Sequence, residues 1–311
     1  MRTIRVAAIQ GRLNLISDPL KYAEVMYRYV RCAYDEGAHL VAFPEDNATH
    51  LLGLIPGIEN MAVSTEDSRV SEGDNRNLVA QVFDYLGPVT RQVYQTTFAT
   101  LAKLFGLYIM AGSMIIPGED GQVKNTAHLY GPGGELIGTQ DKVHLFSLEE
   151  QWGISCGSVL RVFHTPVGKI SFPICMDASY WETFRILRFL GADLILVPVA
   201  NPDYYNKWKA LRGAWPRVQE SQVYGVTSCL VGRALGITLT GKSSVYAPLD
   251  LTPGGNGILA EAKEPDREQV VTAEVNYDAL DRLRTERPLR KFMNLSLYSK
   301  YFPGIYNGGE A

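Results

Sequence analysis

One pattern occurs twice in the 311 residues and limits the folds open to the chain. Gly37-Ala38-His39-Leu40-Val41-Ala42-Phe43-Pro44 is answered by Gly191-Ala192-Asp193-Leu194-Ile195-Leu196-Val197-Pro198. Each is a short apolar run that reads as a strand with a proline stop. Each follows a stretch of helical periodicity ending at glycine. Over 21–35, Tyr22, Val25, Met26, Tyr29, Val30 and Ala33 share one face, and 181–190 forms the second such stretch. Two equivalent helix-strand units predict an α/β fold in which helices cover sheets.

The other strand patterns read as hairpins. Segments 123–130 and 135–139 flank Gly131-Pro132-Gly133-Gly134, 160–165 and 169–174 flank Pro166-Val167-Gly168, and 244–248 and 258–262 flank a Pro253-Gly254-Gly255 turn. A helix over about 207–222, a strand over 225–230 and a strand over 269–275 complete the reading. Helices alternating with strands, plus hairpins, predict two mixed sheets packed face to face with helices outside. No linker or charge block divides the chain, so 1–288 is read as one domain and 289–311 as a C-terminal tail. The polar stretch 54–77 fits no element and is too long for an ordinary connector, which suggests a lid or an interface loop.

Composition narrows the function. Hydrophobic residues make up 46% and charged residues 20%, so disordered, collagen-like and coiled-coil chains are excluded. A net charge of −3 supplies no basic field for nucleic acid or an anionic membrane. No apolar run reaches the roughly 20 residues of a bilayer span, and the apolar stretch 6–9 is too short for a signal-peptide core. A cytoplasmic location is expected. The four cysteines, Cys32, Cys156, Cys175 and Cys229, show no C-x-x-C pairing and are expected to be free thiols.

Four predicted strands end in residues with chemical capacity: Phe43-Pro44-Glu45, Thr139-Gln140-Asp141-Lys142, Phe172-Pro173-Ile174-Cys175 and Val199-Ala200-Asn201. Ligand crevices in α/β sheets form at strand carboxyl ends, so these could converge. Cys175 stands at a strand-to-helix turn, where backbone N–H groups lower a thiol pKa and can hold an oxyanion. A free thiol is mostly protonated at neutral pH and needs a base, for which Glu45 is the candidate. Lys142 would meet developing negative charge on a substrate oxygen.

Three ordered motifs give this set an identity: Phe43-Pro44-Glu45, Lys142-Val143-His144-Leu145, and Cys175-Met176-Asp177 followed by Tyr180-Trp181-Glu182. In them, and in the opening Val6-Ala7-Ala8-Ile9-Gln10, the chain resembles the nitrilase, or carbon–nitrogen hydrolase, superfamily. The resemblance implies a four-layer αββα sandwich and a catalytic triad of Glu45, Lys142 and Cys175. It also implies a second glutamate, for which Glu150, seven residues before Gly157, is favoured and its neighbour Glu149 is the alternative. The oxyanion would be held by Lys142 and the Met176 N–H, with Asn201, Tyr180 and His144 near the substrate. The activity implied is hydrolysis of a small-molecule amide or N-carbamoyl compound through a cysteine thioester, with no cofactor and no metal, in a homodimer or larger even-numbered assembly whose tail crosses to the partner. Cys175-Met176 in place of the cysteine-tryptophan pair of true nitrilases favours amides. Ser179 and Trp181 replace the arginine and proline common in the family, so the pocket wall beside Cys175 is unusual. Rival readings are a papain-like Cys–His pair using His144 or His164, a nitrilase, and an inactive binding scaffold. The basic run Arg282, Arg284, Arg287, Arg290 and Lys291 reads as a solvated or intersubunit face.

Overall fold

The computed structural model describes residues 2–60, 75–118 and 120–307. From the N-terminus come β1 (Thr3–Arg12), α1 (Pro19–Asp35), β2 (Leu40–Ala42), α2 (Asn75–Phe105), β3 (Tyr108–Pro117), β4 (Val123–Tyr130), β5 (Leu136–Asp141) and α3 (Ser147–Gln151). The middle of the chain forms β6 (Phe163–Thr165), β7 (Gly168–Ser171), α4 (Trp181–Phe189), β8 (Leu194–Val199), α5 (Lys207–Ala210), α6 (Ala214–Ser221) and β9 (Tyr224–Ala234). The remainder supplies β10 (Ile237–Leu239), β11 (Ser244–Tyr246), β12 (Ile258–Glu261), β13 (Gln269–Asn276), α7 (Tyr277–Glu286), α8 (Leu289–Phe292) and α9 (Leu295–Tyr306).

The ladders fall into two sheets of like design. One runs β5-β4-β3-β2-β1-β13, with β1, β2 and β3 parallel and antiparallel strands outside them. The other runs β6-β7-β8-β9-β11-β12, with β7, β8 and β9 parallel. They are joined where Gly11 and Arg12 of β1 pair with Leu230 and Val231 of β9. Strand alternation then builds the layers. Ile4, Val6 and Ala8 of β1, Leu40 and Ala42 of β2, Leu194 and Leu196 of β8, and Tyr224 and Val226 of β9 meet in a core between the sheets. The intervening Ala7, Ile9, Val41 and Phe43 face Tyr22, Met26 and Val30 of α1 and Tyr94 and Phe98 of α2. Ile195 and Val197 face Phe184 and Leu187 of α4 and Val218 of α6. The fold is the expected four-layer αββα sandwich.

Local chemistry explains both agreements and differences. Asp18 caps α1 by accepting the Leu20 N–H at 2.9 Å, and Pro19 follows at the first helical position, where its missing N–H costs nothing. The second proline stop is not one: β8 continues through Pro198 to Val199. Strand β7 pairs with β8 only at Leu194 and Ile195, so beyond them that side of β8 has no ladder for a proline to interrupt. The single helix expected over 207–222 is two, because Pro216 would clash with the carbonyl four residues back and is tolerated only in a first turn, that of α6. Of the stretch 54–77, residues 61–74 lie outside the described residues; Ile58–Asn60 is a 3-10 turn, and α2, which the periodicity did not reveal, begins at Asn75.

The tail lies on its own chain. Phe302 of α9 meets Trp181 at 5.6 Å between ring centroids, the Tyr306 hydroxyl donates to Glu182 Oε1 at 2.7 Å, and the Arg290 guanidinium stands over the Phe189 ring. Leu295, Leu297, Tyr301 and Ile305 remain exposed. No described helix is long and apolar enough to cross a membrane.

One glycine ties the first sheet to the loop after β2. The β3–β4 register shifts between Met110 and Ser113, and Gly112 there has φ +78°. A Cβ at this position would stand 1.9 Å from the Pro44 carbonyl oxygen. Gly112→Ala is therefore expected to lower the unfolding free energy by about 2 kcal/mol or more, measured by urea denaturation, because it combines left-handed strain with a backbone clash.

Candidate active site

Glu45 follows β2, Lys142 follows β5, Cys175 follows β7 and Ala200 follows β8, so four strand ends bring their residues to one place. Glu45 and Lys142 are each only 2% exposed. Lys142 Nζ donates to Glu45 Oε1 at 2.7 Å and to Glu149 Oε2 at 2.6 Å. Asn125, on the core-facing row of β4, donates its amide to Glu45 Oε1 at 3.0 Å and Glu149 Oε1 at 2.9 Å. The other Glu45 oxygen accepts the Ala200 N–H at 2.9 Å.

The second glutamate in contact with the lysine is Glu149, and the favoured Glu150 is exposed. The reason is local: Glu149 sits three residues after Phe146, and its carboxylate turns back to accept the Phe146 N–H at 2.8 Å at the start of α3, which lays it over Lys142. Spacing to Gly157 could not reveal this, because the Gly157 N–H bonds the Lys142 carbonyl at 2.6 Å whichever glutamate points inward.

Cys175 begins a 3-10 turn, Cys175–Ser179, with φ +43°, a left-handed conformation uncommon outside glycine. The first amides of such a turn, Met176 N–H among them, have no acceptor within it. Burial pushes the Cys175 thiol pKa well up, the Glu45 carboxylate adds to this, and Lys142 opposes both. The resting thiol is thus a hydrogen-bond donor to Glu45. Burial likewise raises the Glu45 pKa; Lys142 pulls it down and Glu149 pushes it up. Burial works against the Lys142 ammonium, but Glu45, Cys175 and Glu149 outweigh it and hold its pKa well above the ordinary value.

Asp177 fixes the cysteine turn against the lysine loop. Fully buried, it accepts the Ile174 N–H at 2.8 Å from its own turn, and the Val143 and His144 N–H groups at 3.2 and 2.8 Å from the residues after Lys142. His144 Nδ1 lies 2.9 Å from the same carboxylate, so it is the protonated nitrogen, and its ring stacks on Tyr180 at 4.2 Å between centroids. His144 therefore serves Asp177, and His164 is exposed on β6, which leaves a Cys–His pair without geometry. Met176, in the turn that Cys175 begins, is half-buried, and Tyr180, which follows that turn, is exposed. Asn201 is exposed outside the cluster, and it is the backbone of its neighbour Ala200 that reaches Glu45. All four cysteines are free thiols.

Sequence reasoning missed Asn125 and the role of Asp177. Asn125 had a readable signal, a polar residue on the same strand face as Ala127 and Leu129, both in the core between the sheets.

The sequence profile of the carbon-nitrogen hydrolase family matches residues 5–285. The probable hydrolase YhcX of Bacillus subtilis is 29% identical over 294 residues, which are 93% of this chain and 53% of that protein. The chain thus spans about half the length of that relative. An omega-amidase of Xenopus laevis is 30% identical over 316 residues, 96% of this chain and 98% of that one. Among solved structures, a mutant amidase from Nesterenkonia sp. AN1, with covalent addition of the acetamide moiety of fluoroacetamide at its active-site cysteine, superposes with a TM-score of 0.70 at 19% identity over 96% of both chains. The carbon-nitrogen hydrolase from Helicobacter pylori G27 gives 0.71 at 18% identity over 96% of this chain and 98% of that one. With a profile matched from residue 5 to residue 285 and the αββα fold shared end to end, this chain belongs to the carbon-nitrogen hydrolase family.

Proposed function

We propose that the protein is an amidohydrolase that cleaves a non-peptide C–N bond of a small amide or N-carbamoyl compound through a thioester on Cys175. The observation that carries this reading is the buried contact of Lys142 with Glu45, 2.7 Å, beside a thiol held protonated by burial and by that same carboxylate. Glu45 takes the Cys175 proton as sulfur attacks the carbonyl carbon, and Lys142 with the Met176 N–H meets the oxyanion. Glu45 then gives the proton to the leaving nitrogen, releasing ammonia or an amine and leaving the acyl group on sulfur. It next activates water to hydrolyse the thioester. Glu149 touches no reacting atom in this scheme; it holds Lys142 charged and in place, together with Asn125.

Amides are preferred to nitriles in this reading because Met176 follows the cysteine. Assay of matched nitrile and amide pairs tests that choice, and nitrile turnover with an inert amide overturns it. The assembly proposed is a homodimer or larger even-numbered oligomer in which the exposed apolar side chains of α9 meet the partner.

Three outcomes follow. Cys175→Ala should abolish ammonia release, and mass spectrometry with a slow substrate should find the acyl adduct on the Cys175 peptide of the unmodified enzyme; an adduct on another cysteine sinks the assignment. Glu149→Gln should lower kcat/KM by about 100-fold while Glu150→Gln stays within about twofold, with iodoacetamide labelling of Cys175 as the check that both variants are folded. Truncation after Pro288 should move the particle toward monomer in analytical ultracentrifugation; an unchanged profile removes the tail from the interface.

A further inference from the structure

Asn125 is the neutral member of the buried ion cluster, and both hydrogens of its side chain are used there. Its backbone carbonyl accepts the Lys142 N–H at 2.9 Å, so the residue holds the start of the lysine loop while its side chain, fully buried, reaches the acids. Nδ2 donates to two carboxylate oxygens, Glu45 Oε1 at 3.0 Å and Glu149 Oε1 at 2.9 Å. Oδ1 is buried without a hydrogen-bond partner among the described residues, a standing cost to the fold. Turning the amide over would not remove that cost, because the carbonyl would then face two carboxylates. The anions set the orientation, and the orphaned oxygen follows from it.

The two oxygens of Glu45 are thereby made unequal. A carboxylate oxygen has two lone pairs, and on Oε1 they are filled by Lys142 Nζ at 2.7 Å and Asn125 Nδ2 at 3.0 Å. On Oε2 the Ala200 N–H fills one at 2.9 Å. The second is left for the Cys175 thiol, the remaining hydrogen-bond donor to this carboxylate among the described residues. A proton arriving on Oε1 would meet two donors, whereas one arriving on Oε2 takes the place that the thiol hydrogen already points to.

We propose that Asn125 is a positioning residue that confines the transferred proton to Glu45 Oε2. The proposal rests on the amidohydrolase reading and fixes the proton route within it. As the S–C bond forms, the Cys175 proton passes to Oε2; as the C–N bond breaks, the same proton leaves Oε2 for the departing nitrogen. Oε1 stays unprotonated throughout and keeps its bond to Lys142 while the ammonium meets the oxyanion.

Removing the Asn125 donor has two effects. It opens Oε1 to a proton, and it takes away a hydrogen bond that favours the charged carboxylate, so Glu45 holds a proton up to higher pH. The titrating groups around Glu45, namely Lys142, Glu149, Cys175 and its neighbour Asp46, all remain.

The test follows two rates against pH in the full chain: kcat/KM for ammonia release from a panel of small amides, and alkylation of the Cys175 peptide by iodoacetamide, read by mass spectrometry. In both, the acidic limb reports Glu45 becoming free to accept the thiol proton. Asn125→Ala, and Asn125→Leu, which refills the space with an apolar side chain, should lower the plateau of kcat/KM about tenfold or more and move both limbs to higher pH. A merely structural loss lowers the plateau and leaves the limbs in place, which overturns the proposal. In an atomic-resolution crystal structure of the unmodified enzyme below the limb, the Glu45 Cδ–Oε2 bond should be the longer of the two, as a C–OH bond is; a longer bond at Oε1, or equal bonds, also overturns it. Shifted alkylation limbs with no amide turned over by the unmodified enzyme support the Asn125 role and remove the amidohydrolase reading, whereas turnover with unshifted limbs does the reverse.

Discussion

An ammonium group shut away from water must be met by anions, and Lys142 is met by two, Glu45 and Glu149. Taking a charge from water costs several kcal/mol, recovered only when partners and hydrogen bonds are well placed. That requirement reaches far into the fold. Glu45 must arrive at the end of β2, Lys142 at the end of β5 and Glu149 at the first turn of α3, with the Asn125 amide keeping the two carboxylates apart. The cysteine belongs to the other sheet, so the ion cluster and its nucleophile meet only when the sandwich is closed. Asp177 makes that closure local, because one carboxylate holds amides from both sides of the join.

The same geometry explains why the thiol is kept neutral at rest. A thiolate beside Glu45 would set two negative charges in contact in a site poor in water, whereas a thiol donating to the carboxylate satisfies both. In the proposed mechanism the thiol proton passes to Glu45 as sulfur attacks, so that negative charge gathers on the substrate oxygen facing Lys142.

How much could be read beforehand depended on how local the determinant was. The apolar face of α1 and the twin helix-strand units follow from short-range periodicity, and so did the convergence of Glu45, Lys142 and Cys175 at strand ends. The choice between Glu149 and Glu150 did not. Adjacent residues on one turn differ by about 100° in direction, and which of them points inward was decided by the backbone N–H of Phe146. Asn125 was legible as a polar side chain on an apolar strand row, whereas α2 was obscured by Pro88 within its 31 residues. Proline misled in two further places because its effect depends on neighbours: Pro198 is tolerated where β7 has ended, and Pro216 starts a helix instead of continuing one.

The strand order also has a consequence in time. Strands β6 to β12, which build the whole second sheet, lie between β1 and its neighbour β13 in the chain. The ladder from Thr3–Asn276 to Gln10–Gln269 therefore joins residues that the whole of that second sheet separates in the chain. Until 269–276 have left the ribosome, one flank of β1 offers unpaired N–H and C=O groups to any strand that comes near. Such long-range pairing slows folding, so the first sheet, begun earliest, is the last to be completed.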